Sequence, residues 1–166
     1  GIVCVDTSPI MEKAWAKRAG IGWIGKHTNL ITKDIGSWFF LGSIIINKKL
    51  EYDNFFEQDL CGTCTACIDD CPTGAIVDAY QLDSNKCISY LTIEHRGDLP
   101  DEYQDKLDGW IYGCDICQET CPWNKKFAEV TNVDEFEPRD GVKNKSLKDW
   151  SNMSEEEYKK IFKKSA

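Results

Sequence analysis

At 166 residues with a net charge of −8, the chain has room for one ordinary domain or two small ones, and its bulk surface should repel nucleic acid. Hydrophobic residues make up 42% of it, with six Trp, seven Phe and six Tyr, which excludes a disordered tail. The longest apolar run, Trp38 to Ile46, is interrupted by Gly42 and Ser43; it is too short for a membrane helix of ~20 residues, and no charged-then-apolar signal segment opens the chain.

Residues 2–6 alternate as a strand. Thr7-Ser8-Pro9 then offers an N-cap followed by Pro at the first helical position, predicting a helix from Pro9 to about Ala19 with Gly20 as its stop. Gly20, Gly22 and Gly25 make a tight Gly-rich loop without the strand–loop–helix order of a dinucleotide site. Thr28–Thr32 and Ser37–Asn47 read as two strands joined by a turn at 33–36. Trp38, Phe39 and Phe40 read as core. Residues 48–60 are polar and acidic, a domain junction. Short helices are expected after Cys64 and Cys114, and a longer one from about Ser84 to Glu94. Residues 129–144 read as loop. Ser154-x-x-Glu157 is a capping box that opens a last helix. That helix carries Lys159, Lys160, Lys163 and Lys164, either a solvated face or a basic strip for a polyanion. The chain starts without Met inside a predicted strand and ends inside a predicted helix, so a piece of a longer protein is expected.

Nine cysteines carry most of the chemistry: Cys4, Cys61, Cys64, Cys67, Cys71, Cys87, Cys114, Cys117 and Cys121. Disulfides need an oxidising compartment, and zinc sites typically use paired Cys-x-x-Cys spacing. The first run here is Cys61-x2-Cys64-x2-Cys67-x3-Cys71-Pro72, the spacing of bacterial ferredoxins, in which three thiolates hold one four-iron cluster and the fourth reaches another. The second run, Cys114-x2-Cys117-x3-Cys121-Pro122, repeats its end but has Ile111 where a first cysteine would stand. Cross-ligation then assigns Cys61, Cys64, Cys67 and Cys121 to cluster one. Cys71, Cys114 and Cys117 go to cluster two, with Cys87, between the runs, as the missing ligand. Each cluster with four thiolates carries about −2 when oxidised, which deepens the acidic balance. Cys4 is left as a buried strand residue.

Several stretches in order carry a resemblance: Val5-Asp6-Thr7-Ser8-Pro9, Gly22-Trp23-Ile24-Gly25-Lys26, Gly36 to Gly42, Cys87 to Glu94, Gly113 to Gln118, and Cys-Pro-Trp-Asn at 121–124. Together they resemble epoxyqueuosine reductase, along nearly the whole chain. The resemblance implies a cytoplasmic, monomeric tRNA-modifying oxidoreductase. It would use cobalamin and two [4Fe-4S] clusters, fed by an electron donor of unknown identity, to reduce the epoxide of epoxyqueuosine in tRNA to queuosine. The implied fold is α+β: residues 1–59 as the C-terminal part of an α/β cobalamin-binding domain, 60–125 as a bacterial-ferredoxin-like two-cluster domain, and 126–166 as a loop and helical segment. Most of the N-terminal domain and the C-terminal end would be lacking, so these residues alone are expected to be inactive and to bind cobalamin weakly or not at all.

Asp6 matches the family's acid in Val-Asp-x-x-Pro, and the resemblance makes it the candidate proton donor; the residues alone favour a cap on the following helix. Lys26, Ser89 and Asp115 match positions near cofactor or substrate, which makes cluster two the one expected to face cobalt. Arg96, beside His95, is a candidate RNA contact. His27 is too isolated to be a ligand. The competing functions are a two-cluster ferredoxin-type carrier, disfavoured by residues 1–47, and a reductive dehalogenase, disfavoured by cytoplasmic character and Cys-Ile-Ser-Tyr-Leu-Thr-Ile-Glu at 87–94.

Overall fold

The computed structural model describes residues 1–6 and 8–163; the expected capping role of Thr7 and the basic contribution of Lys164 fall outside them. Two compact units form, residues 1–129 and residues 130–166.

The first unit mixes short helices with small sheets. In chain order it holds β1 (Ile2–Cys4), α1 (Glu12–Arg18), β2 (Trp23–Ile24), β3 (Leu30–Ile31), β4 (Ser43–Ile45), α2 (Ala66–Asp69), β5 (Ile76–Asp78), β6 (Gln81–Leu82), α3 (Ile88–Ile93), α4 (Asp101–Gln104), α5 (Ile116–Glu119) and α6 (Pro122–Phe127). The described strands form three antiparallel pairs, β1 with β4, β2 with β3, and β5 with β6.

Several predicted elements change. The helix expected from Pro9 starts at Glu12, with Met11 at its N-cap position, because the chain first makes a turn in which the Ile10 N–H donates to the Ser8 carbonyl. Its end is as expected: the N–H groups of Gly20 and Ile21 return to the carbonyls of Lys17 and Ala16. The predicted hairpin of 28–32 with 37–47 is reduced to a single bridge, Thr32 to Gly36. Part of the Gly-rich loop becomes β2 and takes β3 as its partner, while β4 turns away to pair with β1. Gly22 permits this, since a Cβ there would lie 2.0 Å from the Ile31 carbonyl oxygen. The helix expected from Ser84 to Glu94 is broken at Cys87, whose extended backbone (ψ 124°) separates a 3₁₀ turn from α3.

The core is aromatic. Trp23 and Ile31 are fully buried together with Cys121, and Phe56, Leu60, Cys61 and Trp123 pack against them. Trp23 stacks on Phe56 at 5.7 Å and meets Trp123 edge-on at 4.8 Å. The expectation that Trp38, Phe39 and Phe40 are core is corrected: Phe40 is 85% and Trp38 41% exposed. Cys4 is buried in β1, opposite Ser43.

A buried polar knot joins the β part of the unit to α6. Asn124 Oδ1 accepts from the Ser37 N–H at 2.6 Å, and its Nδ2 donates to Ser37 Oγ at 2.9 Å and to the Gln118 carbonyl at 2.8 Å. Gly36 lies against this amide with φ +71°, and a Cβ on it would stand 2.1 Å from Asn124 Oδ1. A Gly36→Ala change combines left-handed strain of about 1–2 kcal/mol with this overlap. It is expected to lower the apparent Tm of the cluster-loaded protein by at least about 4 °C; an unchanged melting curve would count against the knot.

The second unit carries α7 (Leu147–Ser151) and α8 (Glu155–Ile161), each opened by a capping box, Ser146 with Asp149 and the expected Ser154 with Glu157. Trp150 and Tyr158 pack on Phe162. The lysine strip on α8 is offset by its own first turn of Glu155, Glu156 and Glu157, and Lys159 pairs with Glu155.

Candidate metal centre

None of the nine cysteines is in a disulfide. Around one site, burial pushes the Cys67 thiol up to about 11, with further upward pressure from the neighbouring Cys61, Cys121 and Cys64. Around another, burial pushes the Cys117 thiol up to about 12, reinforced by Cys114 and Cys87 and, more weakly, by Cys67 and Cys71. Cys114 is raised by burial and by its neighbours Cys87 and Cys71. Cys61, Cys64, Cys67 and Cys121 are thus neighbours, and Cys71, Cys87, Cys114 and Cys117 line one cavity. Among the described residues no three Cys, His, Asp or Glu converge as they would on a single metal ion. Packed thiols that resist ionisation suit a positively charged body that turns them into thiolates, so the residues fit four-iron clusters.

Local structure explains the gathering. Each run turns into a short helix, α2 after Cys64 and α5 after Cys114, and the two helices pack on each other. Thr120 Oγ1 donates to Asp70, tying the ends of these helices together. Partial burial works to raise the Cys71 thiol, yet hydrogen bonds from the backbone of Ile76 and Ala75 and from Thr73 outweigh it and lower its pKa; the Ala75 N–H lies 3.3 Å from its sulfur. Near the C-terminal end of α3, Thr92 Oγ1 accepts from the Gly113 N–H at 3.0 Å, which ties the helix that follows Cys87 to the segment leading into the second run.

The first set rests on the aromatic core. Burial raises the Cys61 thiol, opposed by the Lys26 backbone N–H and the Trp23 indole N–H. That indole reaches no acceptor at hydrogen-bond distance among the described residues; the Cys61 sulfur is the group it faces. Lys26 donates its ammonium to the carbonyls of Gly62 and Cys64 at 2.7 and 2.8 Å, so it braces the loop of the first run and lines neither of the cavities described next. With Lys26→Met, a chelator is expected to strip iron from one cluster about tenfold faster, the effect of one lost charged hydrogen bond of about 1.4 kcal/mol. Unchanged release kinetics would remove Lys26 from that role.

The second set opens onto a cavity of about 280 Å³ lined by Cys71, Cys87, Cys114 and Cys117 together with Ser89, Asp115, Lys13 and His27. An adjoining cavity of about 320 Å³ holds Asp6, Glu12, Phe39, Phe40 and Leu41, and shares Lys13, Asn29 and Gln118 with the first. Asp6 does not cap α1, which begins six residues later. It is exposed and held at φ +48°, a left-handed conformation that is uncommon outside glycine and in which Asp is enriched. Arg96 lies apart, exposed at the end of α3, with Nη1 donating to the Ile93 carbonyl at 3.1 Å.

Sequence reasoning passed over Lys13 and His27. His27 is buried at 4% exposure and directly follows the Gly22–Lys26 motif. That adjacency was its only sequence signal.

The comparisons agree with this geometry. The 4Fe-4S double cluster binding domain matches residues 60–124. An epoxyqueuosine reductase of Synechocystis sp. is 52% identical over 98% of this chain and 56% of that protein. One of Cellulophaga algicola is 47% identical over 100% of this chain and 54% of that protein. A crystal structure of epoxyqueuosine reductase with an epoxyqueuosine-modified tRNA-Tyr stem loop superimposes with a TM-score of 0.88 at 40% identity, over 98% of this chain and 42% of the other. Over nearly its whole length the chain is similar to epoxyqueuosine reductases. It spans about half the length of the curated relatives it matches. Another structure of epoxyqueuosine reductase, from Bacillus subtilis, has a TM-score of 0.85 at 38% identity over 98% of this chain and 42% of that one, and shows an aspartate-bearing catalytic loop swung out of the active site. The match at residues 60–124 supports iron–sulfur clusters in this chain, and among the described residues no helix is long and apolar enough to cross a membrane.

Proposed function

We propose that the protein reduces the epoxide of epoxyqueuosine in tRNA to queuosine, as a cytoplasmic monomer. The observation that carries this reading is the adjacency of the two cavities: the one holding Asp6 meets the one lined by four thiols through Lys13, Asn29 and Gln118. In this reading Cys61, Cys64, Cys67 and Cys121 hold cluster one, and Cys71, Cys87, Cys114 and Cys117 hold cluster two. Cluster two lies nearer Asp6, and an electron donor of unknown identity feeds the pair.

Residues 1–59 then belong to an α/β cobalamin-binding domain, 60–125 form the two-cluster domain and 126–166 complete the chain. Bound cobalamin would supply a metal centre able to gather single electrons for a two-electron reduction. Ser89 and Asp115, lining the second cavity, would orient the cofactor or substrate. Lys26 would hold the cluster-one loop, in place of the cofactor contact expected for it. Opening an epoxide leaves an oxygen that must take up a proton. Asp6 would deliver it from a cavity wall made apolar by Phe39, Phe40 and Leu41. Because Asp6 is exposed, a bound cofactor or nucleoside must cover it to favour the protonated acid. Arg96 would meet tRNA phosphate, one of few basic contacts on an acidic surface.

A carrier that only passes electrons needs no acid-bearing cavity beside its cluster, which weighs against the ferredoxin reading. The deciding experiment takes a gene product of family length containing these residues, reconstitutes it anaerobically with iron, sulfide and cobalamin, and offers it epoxyqueuosine-containing tRNA with a reductant. Conversion to queuosine is expected. No conversion by fully loaded protein would overturn the proposal.

A further inference from the structure

Three buried side-chain atoms lack a hydrogen-bond partner among the described residues: Glu12 Oε1, Trp23 Nε1 and His27 Nε2. Trp23 faces a cluster-one cysteine, as described above. His27 stands on the wall of the other site, lining the cavity that Cys71, Cys87, Cys114 and Cys117 also line.

The hydrogen bonding of the ring determines what it can offer there. Its Nδ1 accepts the Asn29 N–H at 3.1 Å, so in the neutral ring the proton sits on Nε2. Burial lowers the His27 pKa to about 4, opposed by a hydrogen bond with its own backbone and helped to a lesser degree by the Lys13 ammonium. The ring therefore presents an N–H donor rather than a lone pair, and metal ligation through Nε2 would require the loss of that proton. A buried donor left unmatched costs about 1–3 kcal/mol. An acceptor inside the cavity removes the cost, and sulfur atoms of a cluster carrying about −2 are such acceptors. Lys13 adds a positive charge on the same wall. Its ammonium is anchored on the Thr28 carbonyl at 3.1 Å and on Asn29 Oδ1 at 3.3 Å; burial lowers its pKa, opposed by the neighbouring Cys117 and Glu12.

We propose that His27 Nε2–H donates a hydrogen bond to a sulfur of the second cluster and holds that cluster's reduction potential above the value it would have without the bond. The inference rests on the cluster-two ligand set proposed above. Reduction makes the cluster more negative, so an N–H aimed at its sulfur stabilises the reduced form more than the oxidised one. His27 is thus a positioning and tuning residue for electron delivery to the Asp6 cavity.

The test uses cluster-loaded protein made with ¹⁵N-histidine. The chain has only two histidines, and His95 is engaged with the Asp98 carbonyl at 3.1 Å, so a His95→Gln version leaves His27 as the sole label. Pulsed EPR of the reduced protein should show a ¹⁵N coupling that disappears with Cys87→Ala. In a redox titration, His27→Leu should make one cluster about tenfold harder to reduce, a shift of about 59 mV for a one-electron couple. His27→Gln, which restores an N–H, should recover part of the shift, and the other cluster should not move. Absence of the coupling would mean that a water satisfies Nε2 and would overturn the inference. So would unchanged midpoints in His27→Leu with full iron, or a coupling that survives Cys87→Ala. If His27→Leu fails to load its cluster, the coupling in the histidine-bearing protein decides. None of these readouts uses turnover, so failure here is distinct from failure of the proposed reaction.

Discussion

Asp6→Asn in the protein of family length is expected to reduce epoxyqueuosine turnover by about 10²–10⁴-fold while both clusters stay loaded, the range lost when a positioned general acid is removed. Asparagine keeps the shape and polarity of the side chain but has no transferable proton. It also tolerates the left-handed conformation at φ +48°, so the backbone turn at the end of β1 should survive. The change therefore isolates proton delivery from folding. The comparison to make is single-turnover conversion beside iron content and the EPR of the reduced clusters. Turnover that survives undiminished, with clusters and cofactor in place, would end the acid role of Asp6. Loss of turnover together with loss of iron would instead mean that the residue shapes the fold.

Cys87→Ala is expected to cost one cluster, about half of the protein's iron, and with it turnover. Cys87 sits where the backbone leaves a 3₁₀ turn and enters α3, with an extended ψ of 124°. Its carbonyl accepts the Leu91 N–H as the first helical bond of α3, which holds the residue firmly, and its thiol lines the cavity with Cys71, Cys114 and Cys117. Ile111, at the position where a regular second run would have its first cysteine, is 50% exposed and does not line that cavity. Cys4→Ala is the control: Cys4 is buried in β1 and belongs to neither sulfur set, so iron content should stay full. Retention of all iron by Cys87→Ala would refute the ligand assignment. Loss of the other cluster's EPR signal, the one that Cys61→Ala also removes, would show that the sulfurs are shared differently.

The family match was legible early because its motifs are local strings, but their common purpose was not. Gly36-Ser37 and Cys-Pro-Trp-Asn at 121–124 are separate stretches in the sequence. In the fold they are two sides of one buried hydrogen-bonded knot through Asn124. Gly22 reads as one glycine of a loop, whereas the fold needs it where β2 crosses the Ile31 carbonyl. The hairpin expected between 28–32 and 37–47 failed for a related reason: alternation marks a residue as strand-like without saying which strand is its partner, and β1 and β2 competed successfully for the pairing.

By itself the sequence pointed to the cluster chemistry, because seven of the eight proposed ligands lie in two short runs whose spacing suits such clusters, and to the capping box at Ser154, because a cap involves residues within one turn. Only the tertiary structure decided which apolar residues are core. Trp23 and Trp123 are buried and Phe40 is exposed, since burial depends on what the rest of the chain brings to each face. It alone turned Lys26 toward the Gly62 and Cys64 carbonyls, placed Asp6 on a cavity that shares Lys13, Asn29 and Gln118 with the one lined by Cys71, Cys87, Cys114 and Cys117, and put His27, with its buried Nε2, on the wall of the latter. Those placements depend on contacts between residues distant along the chain, which no local pattern of residue types records.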